Sequence, residues 1–105
     1  MVYKLEYLPS ARRDLVEIVG YISRKLQNPA AAEQLAHRLI EAGERLLEFP
    51  YSSPVYVPLQ PLKHEYRRCV VGNYLMFYWV EEEKKTITIA RVVYAKRNYA
   101  PMLEG

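Results

Sequence analysis

Residues 65–93, EYRRCVVGNYLMFYWVEEEKKTITIARVV, decide the fold, because here the apolar period is two. Segments 65–71, 74–80 and 86–93 read as three strands, rich in the β-branched and aromatic side chains that fill a pleated surface. Gly72-Asn73 is a tight hairpin turn between the first two. Glu81 to Lys85 is a longer charged turn, with Glu81-Glu82-Glu83 expected in solvent. Segment 74–80 is apolar or aromatic on both sides, which marks it as a central strand. Tyr74, Met76 and Tyr78 share one of its faces and are expected to pack in the core.

Just before the meander, residues 50–61 carry Pro50, Pro54, Pro58 and Pro61, which exclude helix and inner strand and predict an extended linking loop. Before that loop the period changes to helical. A helix over about 29–48 places Leu35, Leu39, Ala42, Leu46 and Phe49 on one stripe. It opens at Asn28-Pro29, a cap residue followed by a proline tolerated at the first helical position. A helix from Ala11 to about Gln27 carries Leu15, Ile18, Val19, Ile22 and Leu26, with Ser10 as its expected N-cap. So short a break between them predicts an antiparallel helix hairpin. Residues 2–8 alternate Tyr3, Leu5 and Tyr7 against Lys4 and Glu6, the pattern of a half-buried strand. The expected architecture is α+β, with an N-terminal strand, a helix hairpin and a three-stranded antiparallel meander, the helices packed on one face of a single sheet. Periodicity leaves open how the first strand joins that sheet. The stretch after Tyr94 is basic and shows no clear pattern.

At 105 residues the chain suits one domain over 1–105 and can bury roughly 65% of its unfolded surface. Half of it is hydrophobic and 26% charged, which argues against wholesale disorder. No apolar run approaches the ~20 residues of a membrane span, and the N-terminus lacks a signal-peptide core. The single cysteine, Cys69, excludes an intrachain disulfide framework and suits a reducing compartment. Two histidines far apart, His37 and His64, argue against a metal centre. The expectation is a cytoplasmic protein with no metal and no cofactor. Residues 1–50 hold seven Lys/Arg and seven Asp/Glu, so the whole +3 excess lies in the second half. There it accompanies tyrosines, a combination suited to nucleic acid or to an acidic protein segment.

The order and spacing of several pieces resemble the ParE/RelE superfamily of type II toxins. These are Leu8-Pro9-Ser10-Ala11, Asp14-Leu15, Ile18 to Ile22, Asn28-Pro29-Ala30-Ala31-Ala32, Leu46 to Pro50, Tyr66-Arg67-Arg68, Gly72 to Tyr78, and Ile89 to Tyr94. The resemblance implies a toxin neutralised by a cognate antitoxin, as a homodimer or a toxin–antitoxin hetero-oligomer. It leaves two activities open. RelE-like members are ribosome-dependent endoribonucleases that cut mRNA, whereas ParE-like members are described as inhibitors of DNA gyrase.

Cutting RNA through its 2′-hydroxyl needs a base, cations on the phosphate and an acid for the leaving oxygen. Carried onto this chain, the nuclease pattern falls on Arg67, Arg91 and Arg97, with Tyr99 as the acid at a shorter spacing than the family's. Two further cation positions hold Cys69 and Leu75 instead. That thinning, with the Tyr-Leu-Met-Phe-Tyr run and the Asn-Pro-Ala-Ala-Ala helix opening, is more similar to the ParE branch. The expected contacts with target or antitoxin are then Arg67, Arg68, Arg91, Lys96 and Arg97. Arg67 and Arg68 are neighbours on a strand and should point to opposite faces. Strict alternation puts Arg91 beside Ile87, Ile89 and Val93. Cys69 reads as a small packed residue rather than a nucleophile, since no His or Asp can be set beside it. Tyr94 reads as a packing residue, His64 as a loop residue, and His37 as solvent-facing.

Overall fold

Alternating side chains on the meander and apolar stripes on two helices can be buried together only as layers, and that is the arrangement found. The computed structural model describes residues 2–103. In chain order it has β1 (Lys4–Tyr7), α1 (Pro9–Gly20), a π-helical turn (Tyr21–Lys25), α2 (Pro29–Glu48), β2 (Arg67–Val71), β3 (Tyr74–Glu81), β4 (Thr86–Tyr94) and a 3-10 turn (Ala100–Leu103). The strands form one sheet in the order β1-β4-β3-β2. β2, β3 and β4 pair antiparallel, turning at Gly72 with φ +59°. β1 supplies what periodicity left open: it lies parallel to β4, with Lys4 opposite Thr86 and Tyr7 opposite Ile89.

α2 starts as its sequence predicts, with Pro29 in the first turn and Asn28 Oδ1 accepting from the Ala31 N–H at 3.1 Å. It buries Leu35, Leu39, Ala42 and Leu46 against Val71, Met76, Tyr78, Ile87, Ile89 and Val92 on the sheet. Gly43 lets it pass close to β1, since a Cβ there would meet the Tyr7 hydroxyl at 2.9 Å. α1 differs from expectation at both ends. It starts at Pro9, and Ser10 lies inside it rather than capping it, because the Ser10 hydroxyl donates to the Ala90 carbonyl at 2.8 Å. Beyond Gly20 the helix widens, with the Leu26 N–H reaching the Tyr21 carbonyl at 3.1 Å, and it ends at Lys25, with Gln27 beyond it at φ +51°.

β4 holds an extra residue. Tyr78 pairs with Ile89 and Phe77 with Arg91, so Ala90 is a bulge. This corrects the strict alternation read from sequence. After the bulge Val92, not Arg91, joins Ile87 and Ile89 in the helix-side core, and Val93 goes to the other side with Ala90.

The second side of the sheet is also packed. Leu75, Phe77, Ala90 and Val93 meet Tyr66 and Leu103, with Tyr56, Leu62, Tyr99 and Met102 around them. The proline-rich segment and the 3-10 turn therefore form a third layer that carries no helical or strand period.

Candidate partner-binding surface

The sites expected from sequence are cations, and a cation's use depends on what already holds it. α1 runs along the edge of β4 just beyond the end of β1, where the strand's backbone would otherwise lack partners. The Leu8 N–H donates to the Ile89 carbonyl at 2.9 Å, Ser10 caps Ala90, and the Val92 N–H donates to Asp14 Oδ2 at 2.9 Å. The same carboxylate takes Arg91 in a two-pronged pair, Nε to Oδ2 and Nη2 to Oδ1, both at 2.8 Å. Only 24% of the Arg91 side chain and 10% of Asp14 remain exposed. The hydrogen bonds from Arg91 to Asp14 raise the guanidinium's pKa, and its charge is spent inside the protein.

Arg67 and Arg68 open β2 and diverge, since Cys69 and Val71 of the Arg67 row pack with the helix-side core. Arg67 Nη1 donates to the Ser53 carbonyl at 2.8 Å and to that of Tyr51 at 3.4 Å, with its guanidinium 4.9 Å from the Tyr51 ring centre. Arg68 Nη1 lies 3.3 Å from the Tyr99 hydroxyl, and the Tyr99 ring rests against Phe77 and Tyr56. Lys96 and Arg97 are exposed in the turn after β4. Arg97 lines an open groove of about 630 Å³ together with the apolar and aromatic Ile18, Tyr21, Tyr74 and Val92 and the acids Asp14 and Glu17. Arg67 pairs with Tyr78, and the Arg97 turn follows the Tyr74–Tyr94 pair, four residues along β3 and so about 13 Å away. The structure thus joins Arg68 to Tyr99 and sets Arg67 well away from the Arg97 turn, while Asp14, the partner of Arg91, lines the same groove as Arg97.

Two assemblies have no signal in the sequence pattern. Glu82, read as one of three solvent carboxylates, accepts from the Tyr3 hydroxyl at 2.8 and 2.6 Å, from Tyr51 at 2.8 Å and from Lys85 at 2.6 Å. Lys85 first, then the two phenols, lower its pKa from 4.5 to about 2. Tyr3 and Tyr51 lie 79 and 31 positions away, beyond any local pattern. His64 is in the loop as expected, but its ring stacks on Trp79 with centres 3.6 Å apart and planes 4° from parallel. His37 is exposed, and Tyr94 is 43% exposed with an edge contact to Tyr74. Among the described residues no group of three His, Cys, Asp or Glu is placed to hold a metal, and no helix is long and apolar enough to cross a membrane.

The family model described as the ParE toxin of the type II toxin–antitoxin system, parDE, matches residues 5–99. The chain belongs to that family. The fold of this toxin also occurs in solved structures. The chromosomal ParDE system from P. aeruginosa has a chain 18% identical, with a TM-score of 0.71, matching 90% of this chain and 97% of its own. The RelBE2 toxin–antitoxin complex from Mycobacterium tuberculosis contains one 21% identical, at 0.64, over 90% and 99%. An archaeal RelE–RelB complex from Pyrococcus horikoshii OT3 has one 20% identical, at 0.61, over 92% and 99%. No curated protein matches the sequence.

Proposed function

We propose that this toxin acts in the cytoplasm by gripping DNA gyrase in the ParE manner, breaks no bond itself, and is silenced by a cognate antitoxin. The observation that carries this reading is the dispersal of its cations. Phosphoryl chemistry on RNA needs positive charge gathered where the phosphate becomes more negative. Here Arg91 is neutralised by Asp14, Arg67 is bound to loop carbonyls, and the Arg97 turn lies about 13 Å along β3 from Arg67. Lys96 and Arg97 are exposed, where an acidic partner could meet them. Beside them, the groove lined in part by Arg97 suits the antitoxin: a segment that folds on binding can lay apolar side chains over Tyr21 and Tyr74 and acids near Arg97. The toxin–antitoxin complexes among its structural relatives support such a partner.

The test is gyrase supercoiling with purified components, beside primer extension on translated mRNA after induction. The expected result is blocked supercoiling, restored by antitoxin, with mRNA left intact. Codon-phased mRNA cuts that vanish with Arg97→Ala would establish the nuclease instead. Unaffected growth on expression without antitoxin would identify a non-toxic relative.

A further inference from the structure

The groove beside Arg97 takes part of its lining from the π-helical turn. In an α-helix, residues five apart point about 140° away from each other. The wider turn, closed by the Leu26 N–H on the Tyr21 carbonyl at 3.1 Å, lets Tyr21 and Leu26 serve the same groove. Tyr21 is 55% and Leu26 56% exposed, so neither is needed to fill the core. The sheet contributes Tyr74 and Tyr94, paired across β3 and β4 with ring centres 5.7 Å apart. Glu17 and Arg97, both exposed, add charges of opposite sign to the lining. Asp14 lines it too, but its charge is already answered by Arg91. Behind the hydrogen bonds and charge of Asp14, Glu17 is the second acid acting on Arg91, and so it flanks β4 itself. Arg97 stands in the turn after that strand ends, and the two charges mark different places along the groove.

From this arrangement we infer that the groove selects its antitoxin by a two-signed pattern: the segment it takes carries a base against Glu17 and an acid against Arg97, with apolar side chains covering Tyr21, Leu26 and Tyr74. The inference rests on the antitoxin reading proposed above and adds the charges that the bound segment must carry. A hollow of about 630 Å³ holds a few side chains of such a segment. Charge complementarity decides which segment fits. The chain's +3 excess draws acidic partners toward it in general. A segment acidic throughout would set a carboxylate against Glu17, however, and like charges brought together at an interface cost affinity. A segment with both signs escapes that cost and gains at both positions. Arg97 thus attracts and Glu17 rejects, and specificity draws on both. A segment that folds on binding can adopt the register that satisfies the two charges together.

The test is titration of full-length variants with the purified cognate antitoxin, beside growth arrest, sedimentation and melting temperature. Tyr21→Ala with Leu26→Ala reads whether the antitoxin occupies the groove, and binding about tenfold weaker or more is expected. Glu17→Lys reads the two-signed pattern. It is expected to weaken binding by about three- to tenfold, and Glu17→Gln by about twofold, both differences shrinking in high salt. Arg97→Glu should weaken binding as well. Melting temperatures should not change, since all four side chains are exposed. Tighter binding by Glu17→Lys would mean a segment acidic throughout, and unchanged binding would mean that Glu17 meets only solvent. Either result overturns the two-signed pattern and leaves the antitoxin reading of the groove standing. Normal antitoxin binding by the truncated pair overturns both. Weaker arrest would then give the groove to the target, and lost self-association would give it to a second copy.

Discussion

The two faces of the sheet are equally dry but are covered by different means. On one, α2 lays a stripe of leucines across Met76, Tyr78, Ile87 and Ile89. On the other, single residues from a proline loop and a short terminal turn, Tyr56, Leu62, Tyr99 and Leu103, close over Leu75 and Phe77. Leu39 and Phe77 are 1% and 0% exposed on their respective sides. Burial does not depend on regular structure. A few aromatic side chains hung from irregular backbone exclude water as fully as a twenty-residue helix does, though they leave no periodic trace.

The equivalence can be broken by truncation. Phe77→Ala is expected to cost about 3–5 kcal/mol and Leu39→Ala about 2–5, read from urea denaturation midpoints at unchanged slope. A Phe77→Ala cost under about 1 kcal/mol, beside a full Leu39→Ala cost, would show that the loop face is a loose cover. The seam joining α1 to β4 should rank next. Asp14→Ala leaves Arg91 and the Val92 N–H without their acceptor. The expected loss is about 2–3 kcal/mol, below that of a wholly buried pair because Arg91 keeps some water contact. Asp14→Asn, which retains an acceptor for Val92, should recover part of it in the same denaturation experiment.

The smallest effect belongs to Glu82, which ties Tyr51, at the start of the loop, to Tyr3, just before β1. Its carboxyl titrates at about 2 in the folded protein against an ordinary 4.5. The stability it adds is therefore fully present above pH 4.5 and is lost as the pH falls toward 2. Between pH 6 and pH 3 the wild type should lose slightly more melting temperature than Glu82→Gln does. Because the group is exposed, added salt should narrow that gap.

What could be read from the sequence follows the same division. The leucine stripe of α2, its Asn28-Pro29 start and the Gly72-Asn73 hairpin are local patterns, and all were legible. The bulge at Ala90 was not, because strict alternation carries straight through TITIARVV and assigns Arg91 to the wrong row. Ser10 reads as a cap in isolation, yet its hydroxyl serves a strand eighty positions away. The candidate surface divides likewise. Arg67 and Arg68 diverge as adjacent strand residues must, whereas the partners of Arg91, Arg67 and Arg68 come from distant segments: Asp14, Ser53 and Tyr99. Local sequence tells which residues carry charge. Only the assembled chain tells which charges are already occupied.

β1 bonds to β4, so a strand that precedes both helices finds its neighbour about eighty residues further along the chain. Long-range pairing of this kind forms slowly, after the intervening chain has been supplied. The sheet therefore closes its β1 edge only after the helices and the meander, whose contacts are more local, have formed.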